Sequence, residues 1–416
     1  MKVHSNSSHP KRSLQFPGIL FAFICTSFVS HAENLAIRAD VIHTMAGPFI
    51  KEGTILVKEG KIAAVGNANT TSIPEGYKVL TAKVATPGFI DAHTVVGFSG
   101  ILNQPHDQEQ LDRSGPVQPE LRAVDAYNAL DPLVSYIRGF GVTTIHTGHG
   151  TGALVSGQTM IVKTYPSNLE QAVINPAAMT AITLGVGATP DRNKAPGTAS
   201  KAVAMLRAEL IKAQDYRRKT ANPDPEKRPS RDLRLETLVR ALDGSQPFLV
   251  TVHRHQDIRA ALRLAREFDL NIVLDGVADA HLMLDSIKAS AFPIILHPTM
   301  ARASGELENL SLETAASLNK SGILFALQSG FEAYVPKTRV VLFEAALAVA
   351  NGLSHDRALA AITIQAARTL RIENRVGSIE PGKDADIALF DGDPFEYTTH
   401  CTTVIVQGTV ADSQSK

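Results

Sequence analysis

Four histidines stand at the ends of apolar, strand-like runs: His93, His146, His253 and His297, with His149 and His255 close beyond two of them. Neutral imidazole is the commonest side-chain ligand for a metal ion and also an acid–base group near neutral pH. If His93, His253 and His297 point into one rim, three imidazoles could bind zinc or another divalent metal. Lys163, Asp275 and Glu332 are the catalytic candidates that would supply nitrogen or oxygen nearby. The same residues also read as separate hydrogen-bonded histidines in a pocket without metal. No phosphate-cradling glycine loop, nucleophile elbow or zinc-finger spacing accompanies them.

For such side chains to meet, the strands that end in them must lie side by side. Strand-like runs at 84–90, 142–146, 160–163, 248–253, 271–274, 293–297 and 323–327, with a weaker one at 181–184, alternate with helical patterns at 198–219, 257–268, 312–319 and 339–351. This alternation predicts a parallel sheet covered by helices, and eight strands imply a closed (β/α)₈ TIM barrel of the α/β class. In that architecture residues closing the strands at their C-terminal ends carry the chemistry. Asp131-Pro132 is an N-cap followed by proline at the first turn, so it should open a further helix. The three-proline stretch 220–231 reads as an exposed loop.

Short alternating runs broken by glycine turns, such as Gly53 to Gly66, mark hairpin strands near the N-terminus, and similar texture returns at 385–390 and 403–406. One small β-sandwich domain built from both chain ends is the economical reading. It assigns 33–85 with 376–416 to that domain and 86–375 to the barrel. The first 32 residues differ: Lys11 and Arg12 precede an apolar run from Leu14 to Val29, and Ser30-His31-Ala32 offers small residues where a signal peptidase reads. A cleaved export signal is expected, giving a periplasmic or secreted protein without a stable membrane span. Cys401 is then the sole mature cysteine, so no intramolecular disulfide can form.

Lys plus Arg total 41 and Asp plus Glu total 41, which leaves no excess charge to favour nucleic acid or an anionic membrane. Hydrophobic content of 44% with 6% aromatic residues suits a barrel filled with Ala, Val, Ile and Leu.

Thr86-Pro87-Gly88-Phe89-Ile90-Asp91-Ala92-His93 closely resembles the strand-one signature of the amidohydrolase superfamily. Leu121 to Asn128, Ser156-Gly157-Gln158 with Ile161 to Tyr165, and Arg375 to Asp386 resemble its imidazolonepropionase-related branch. That resemblance implies one or two divalent metals, held by a strand-one histidine pair, histidines ending strands five and six, and an aspartate ending strand eight. The aspartate would serve as general base for metal-bound water attacking an amide, lactam or amidine carbon. Matched to this chain, the second strand-one histidine falls on Val95, the next two on Thr251 and Gly276, and the aspartate near Gly330, so His93 alone retains its type. Lys163 resembles a lysine that some two-metal relatives carbamylate; its other reading is a salt-bridged barrel lysine, with Asp91 or Asp125 as partner.

Two functions follow. The first is a hydrolase of non-peptide C–N bonds, taking cyclic amides, small amides or dipeptides at a remodelled metal site. The second is a metal-free relative that binds a small-molecule ligand or partners an active amidohydrolase; a homodimer is implied by the resemblance alone. Arg122, Asp125, Asn128, His146 and Gln158 are the substrate-contacting candidates, the first three otherwise ordering the loop after strand one.

Overall fold

The computed structural model describes Met1 and residues 33–102, 104–189, 191, 193–299, 303–330 and 340–413. The expected export signal and Glu332 lie outside the described residues.

Four strands come first: β1 (Leu35–Ile42), β2 (Ile50–Lys58), β3 (Lys61–Asn67) and β4 (Lys78–Pro87). Nine follow: β5 (Phe89–Thr94), β6 (Val142–Gly148), β7 (Val155–Lys163), β8 (Val173–Asn175), β9 (Thr180–Thr183), β10 (Phe248–Val252), β11 (Ile272–Gly276), β12 (Ile294–Leu296) and β13 (Phe325–Ala326). The last three are β14 (Ile387–Phe390), β15 (Cys401–Val406) and β16 (Thr409–Ser413).

β16-β15-β14-β4-β1-β2-β3 form one seven-stranded sheet, so both ends of the chain build the β domain together. The hydrophobic alternation that announced these strands becomes a core of Leu35, Ile37, Ile55, Ile387, Leu389 and Ile405. The run 84–90, expected as one barrel strand, is divided. Its first part pairs with β1 and β14, and only from Phe89 does it enter the barrel. Gly88 is the break, because a Cβ there would lie 2.2 Å from the Thr143 hydroxyl, so only glycine lets the chain pass β6 so closely.

The barrel order is β5-β6-β7-β9-β10-β11-β12-β13, and the parallel bridge Thr94–Gly330 joins its two ends. Ile90, Ala92, Ile161, Leu249, Val273, Ile295 and Ala326 pack together as its filling, the layered interior that closes such barrels. The expected α/β barrel with a small β domain is therefore present, with one departure. β7 is antiparallel to both β6 and β9, so the hairpin β6–β7 replaces a helical crossover. This reverses the end of the barrel at which the residues finishing β7 stand. The predicted N-cap is formed, with Asp131 Oδ1 accepting from Leu133 N–H at 2.9 Å, and the helix runs Pro132–Arg138.

Candidate functional site

At the end of β11, Asp275 is 2% exposed and accepts three side-chain hydrogen bonds or ion-pair contacts. Thr251 Oγ1, at the end of β10, donates to Oδ2 at 2.6 Å, and Gln328 Nε2, just beyond β13, donates to Oδ1 at 2.8 Å. His93 Nδ1, from β5, is 3.1 Å from the same Oδ1. Burial opposes charge on both partners, yet the net shifts favour the ion pair: the Asp275 charge and hydrogen bond hold the His93 ring above its ordinary value. His93, Thr251 and Gln328 hold Asp275 below its own. A buried histidine–carboxylate pair thus lies at the C-terminal ends of the parallel strands, where barrel chemistry belongs.

A second carboxylate lies close by. Asp91 accepts from Ser329 N at 3.0 Å and from Ser329 Oγ at 2.5 Å. Burial, the largest influence, still pushes its carboxyl up to about 6 despite those bonds. Asp91 therefore ties β5 to the segment after β13 and helps close the barrel.

The histidines divide by environment. His146 is fully buried and satisfied at both nitrogens, with the Ala92 carbonyl at 2.7 Å and Thr159 Oγ1 at 2.6 Å. Burial, then the neighbouring His93 charge, lowers its pKa to about 3, so it stays a neutral spacer. The His253 imidazole lies over Gly276, where a Cβ would come within 2.5 Å of its Cε1. At φ +83° Gly276 adopts a backbone that L side chains rarely take, and its bare Cα is what admits the ring. His297 Nδ1 is 3.0 Å from the Pro298 carbonyl oxygen, and burial lowers its pKa to about 4. Among the described residues His253 Nδ1 and His297 Nε2 are buried without a hydrogen-bond partner.

The three rings proposed as metal ligands are therefore differently engaged. His93 holds Asp275, His253 fills the space over Gly276, and His297 faces its own backbone. Among the described residues no group of three or more His, Cys, Asp or Glu side chains is arranged to hold a metal ion.

Lys163 lies elsewhere. It is opposite Thr144, near the start of β6, so the reversed β7 carries it to the end of the barrel away from His93 and Asp275. Its ammonium is fully buried, 2.7 Å from Asp384 Oδ2 and 2.9 Å from both oxygens of Asp386. The salt-bridged reading is thus the right kind of interaction with different partners, because Asp91 bonds Ser329 and Asp125 pairs with Arg122. As a catalytic candidate Lys163 has no access to the mouth.

The substrate-contacting candidates also separate. Gln158 Nε2 donates to the Pro119 carbonyl at 3.1 Å and its Oε1 accepts from Arg240 at 3.2 Å, so it faces the outer helix Leu233–Leu242. Arg122 and Asp125 pair with each other at the surface and line a recess of about 350 Å³ together with His149. Asn128 Oδ1 caps a turn by accepting from Leu130 N–H at 3.0 Å. Thr251, Gln328 and Ser329 were not singled out as site residues from the sequence. Thr251 drew notice only as a departure from the family pattern, and the only signal of Gln328 and Ser329 was a polar type just beyond an apolar strand.

Residues 295–412 match the Amidohydrolase family. The chain is 24% identical over 396 residues to the amidohydrolase tasK of Hapsidospora irregularis, covering 86% of this chain but 39% of that protein. It is 24% identical over 372 residues to an imidazolonepropionase of Rhizorhabdus wittichii, covering 84% of this chain and 91% of that one. The crystal structure of an amidohydrolase from Thermotoga maritima superposes with a TM-score of 0.86 at 26% identity, covering 91% of this chain and all of the other.

Proposed function

Because the chain carries an amidohydrolase-family domain and is homologous to imidazolonepropionases and other amidohydrolases, we propose that it is a metal-free relative which binds a small amide, cyclic amide or dipeptide at the barrel mouth without hydrolysing it. The observation that carries this reading is the buried His93–Asp275 pair.

Hydrolysis in the manner of the superfamily needs a cation held by about three protein donors, so that bound water ionises near neutral pH. Among the described residues, the positions that match the family's ligand pattern do not supply such a set. Val95 is a buried hydrocarbon, Thr251 donates its proton to Asp275, Gly276 is covered by the His253 ring, and Gly330 offers no side chain. In the protonated form that the Asp275 charge favours, His93 has no lone pair for a metal and neutralises Asp275. An imidazolium supplies the positive charge locally and leaves water unactivated.

Such a barrel would sequester its ligand or act as a partner subunit of an active amidohydrolase. The Lys11-Arg12 and apolar pattern at the N-terminus supports placing that role outside the cytoplasm.

The test combines thermal shift with product analysis on hydantoins, imidazolones, lactams and dipeptides. Some members of the panel should raise Tm in a saturable manner and be recovered intact. The Thr251→Val variant, which strips one hydrogen bond from Asp275, should weaken that binding. Turnover that zinc stimulates and a chelator abolishes would end the proposal.

A further inference from the structure

At the opposite end of the barrel from His93, a groove of about 650 Å³ runs between the helices His255–Phe268 and Leu284–Ser290. Its floor includes Asn271 and Phe292, which precede β11 and β12, so it lies at the N-terminal ends of those strands. Arg259, Arg263 and Arg266 line one wall. Spaced at i, i+4 and i+7, they share one face of the helix and form a row about 10 Å long.

None of the three has a carboxylate partner among the described residues, whereas arginines on a nearby helix do. Arg207 pairs with Glu267 at 2.7 Å, Arg217 with Asp243 at 2.6 Å and Arg218 with Asp215 at 2.7 Å. Like charges one turn apart repel, so the row is a cost to the isolated helix. The helix dipole accounts for a cation in the last turn, hence for Arg266, but its influence fades before Arg259 is reached. Across the groove Ser286 offers a hydroxyl and Asn271 an amide, and Asp269 is the sole carboxylate on the lining.

We propose that this groove is a binding site for a small polyanion carrying phosphoryl groups, gripped by the three guanidinium forks and oriented by Ser286 and Asn271. Guanidinium favours such groups because its planar donors meet two oxygens at once, and several forks in a row select a ligand with several anionic groups. The site is remote from the barrel mouth and stands or falls independently of the ligand assigned there.

Calorimetric titration of the full protein with inorganic tripolyphosphate, orthophosphate and tricarballylate tests it. Tripolyphosphate should bind saturably, at least about tenfold more tightly than orthophosphate, and weaken as salt is raised. The triple variant Arg259→Gln/Arg263→Gln/Arg266→Gln should lose at least about tenfold of that affinity while its Tm without ligand stays equal or rises, since repulsion is removed. The control Arg217→Gln should bind as the parent does. Absence of saturable binding, or undiminished binding by the triple variant, overturns the proposal. So does tight binding to phosphatidylglycerol vesicles with none to tripolyphosphate, which would make the row a membrane-facing patch.

Discussion

Replacing Lys163 with methionine should lower the stability of the folded chain by about 3–5 kcal/mol, the range seen when one member of a buried ion pair is removed. The ammonium reaches Asp384 and Asp386 together, and both carboxylates are less than 5% exposed. Asp384 has two further cations, Lys61 and Arg375 at 2.9 Å, but Asp386 relies on Lys163 and the Gln407 backbone N–H. Burial alone would raise the Asp384 pKa; Lys163 and its companions hold it at about 2 instead. Urea unfolding is the measurement, with Lys163→Met/Asp386→Asn recovering part of the loss because it removes the carboxylate left without a cation. An unchanged midpoint in the single variant would show that the β domain and barrel do not depend on this pair.

Acid should weaken the fold above the ordinary carboxylate range. His146, His149 and His297 are buried and neutral, with burial the largest influence lowering them from 6.5 to about 3, 4 and 4. A histidine depressed in the folded state takes up its proton only on unfolding, so stability falls as pH drops below the unfolded value. Between pH 7 and 5 each contributes a loss of about 2 kcal/mol, roughly 6 together. Asp91 works the other way: its folded value of about 6 exceeds the unfolded 3.8, so it protonates in the folded state first and returns about 1 kcal/mol. His93, raised in the folded state, keeps its full stabilising effect below pH 6.5 and loses it only as pH rises through its folded value. The net loss of several kcal/mol is a large share of ordinary domain stability. Urea midpoints measured from pH 7.5 to 4.5 should fall steeply below pH 6.5; a flat profile over that range would contradict the neutral, buried state of the three rings.

The barrel was legible because its strands are apolar and its helices periodic, and the two-ended β domain because glycine turns recur at both termini. Strand direction was not. An apolar run such as Val155–Lys163 carries no mark of which way it points, and the turn at 149–154 does not declare a hairpin. That one reversal moved Lys163 from the expected mouth to the far end, where its partners lie 221 and 223 residues away. The break at Gly88 was also invisible, since it depends on Thr143 of the neighbouring strand.

In the site, His93 and Asp275 each drew attention by type and place, but their pairing spans 182 residues and depends on side-chain direction. Thr251 and Gly276 were visible as departures from a family pattern. What takes up the space they leave, a hydroxyl on Asp275 and the His253 ring over a bare Cα, became visible only in three dimensions.

Elemental analysis of protein purified after growth with added zinc, set beside a His93→Ala preparation, bears most directly on the claim that an imidazolium–carboxylate pair stands where a catalytic cation would be held. Well under one equivalent of any transition metal is expected in both preparations. Close to one equivalent in the parent protein, lost in the variant, would contradict it.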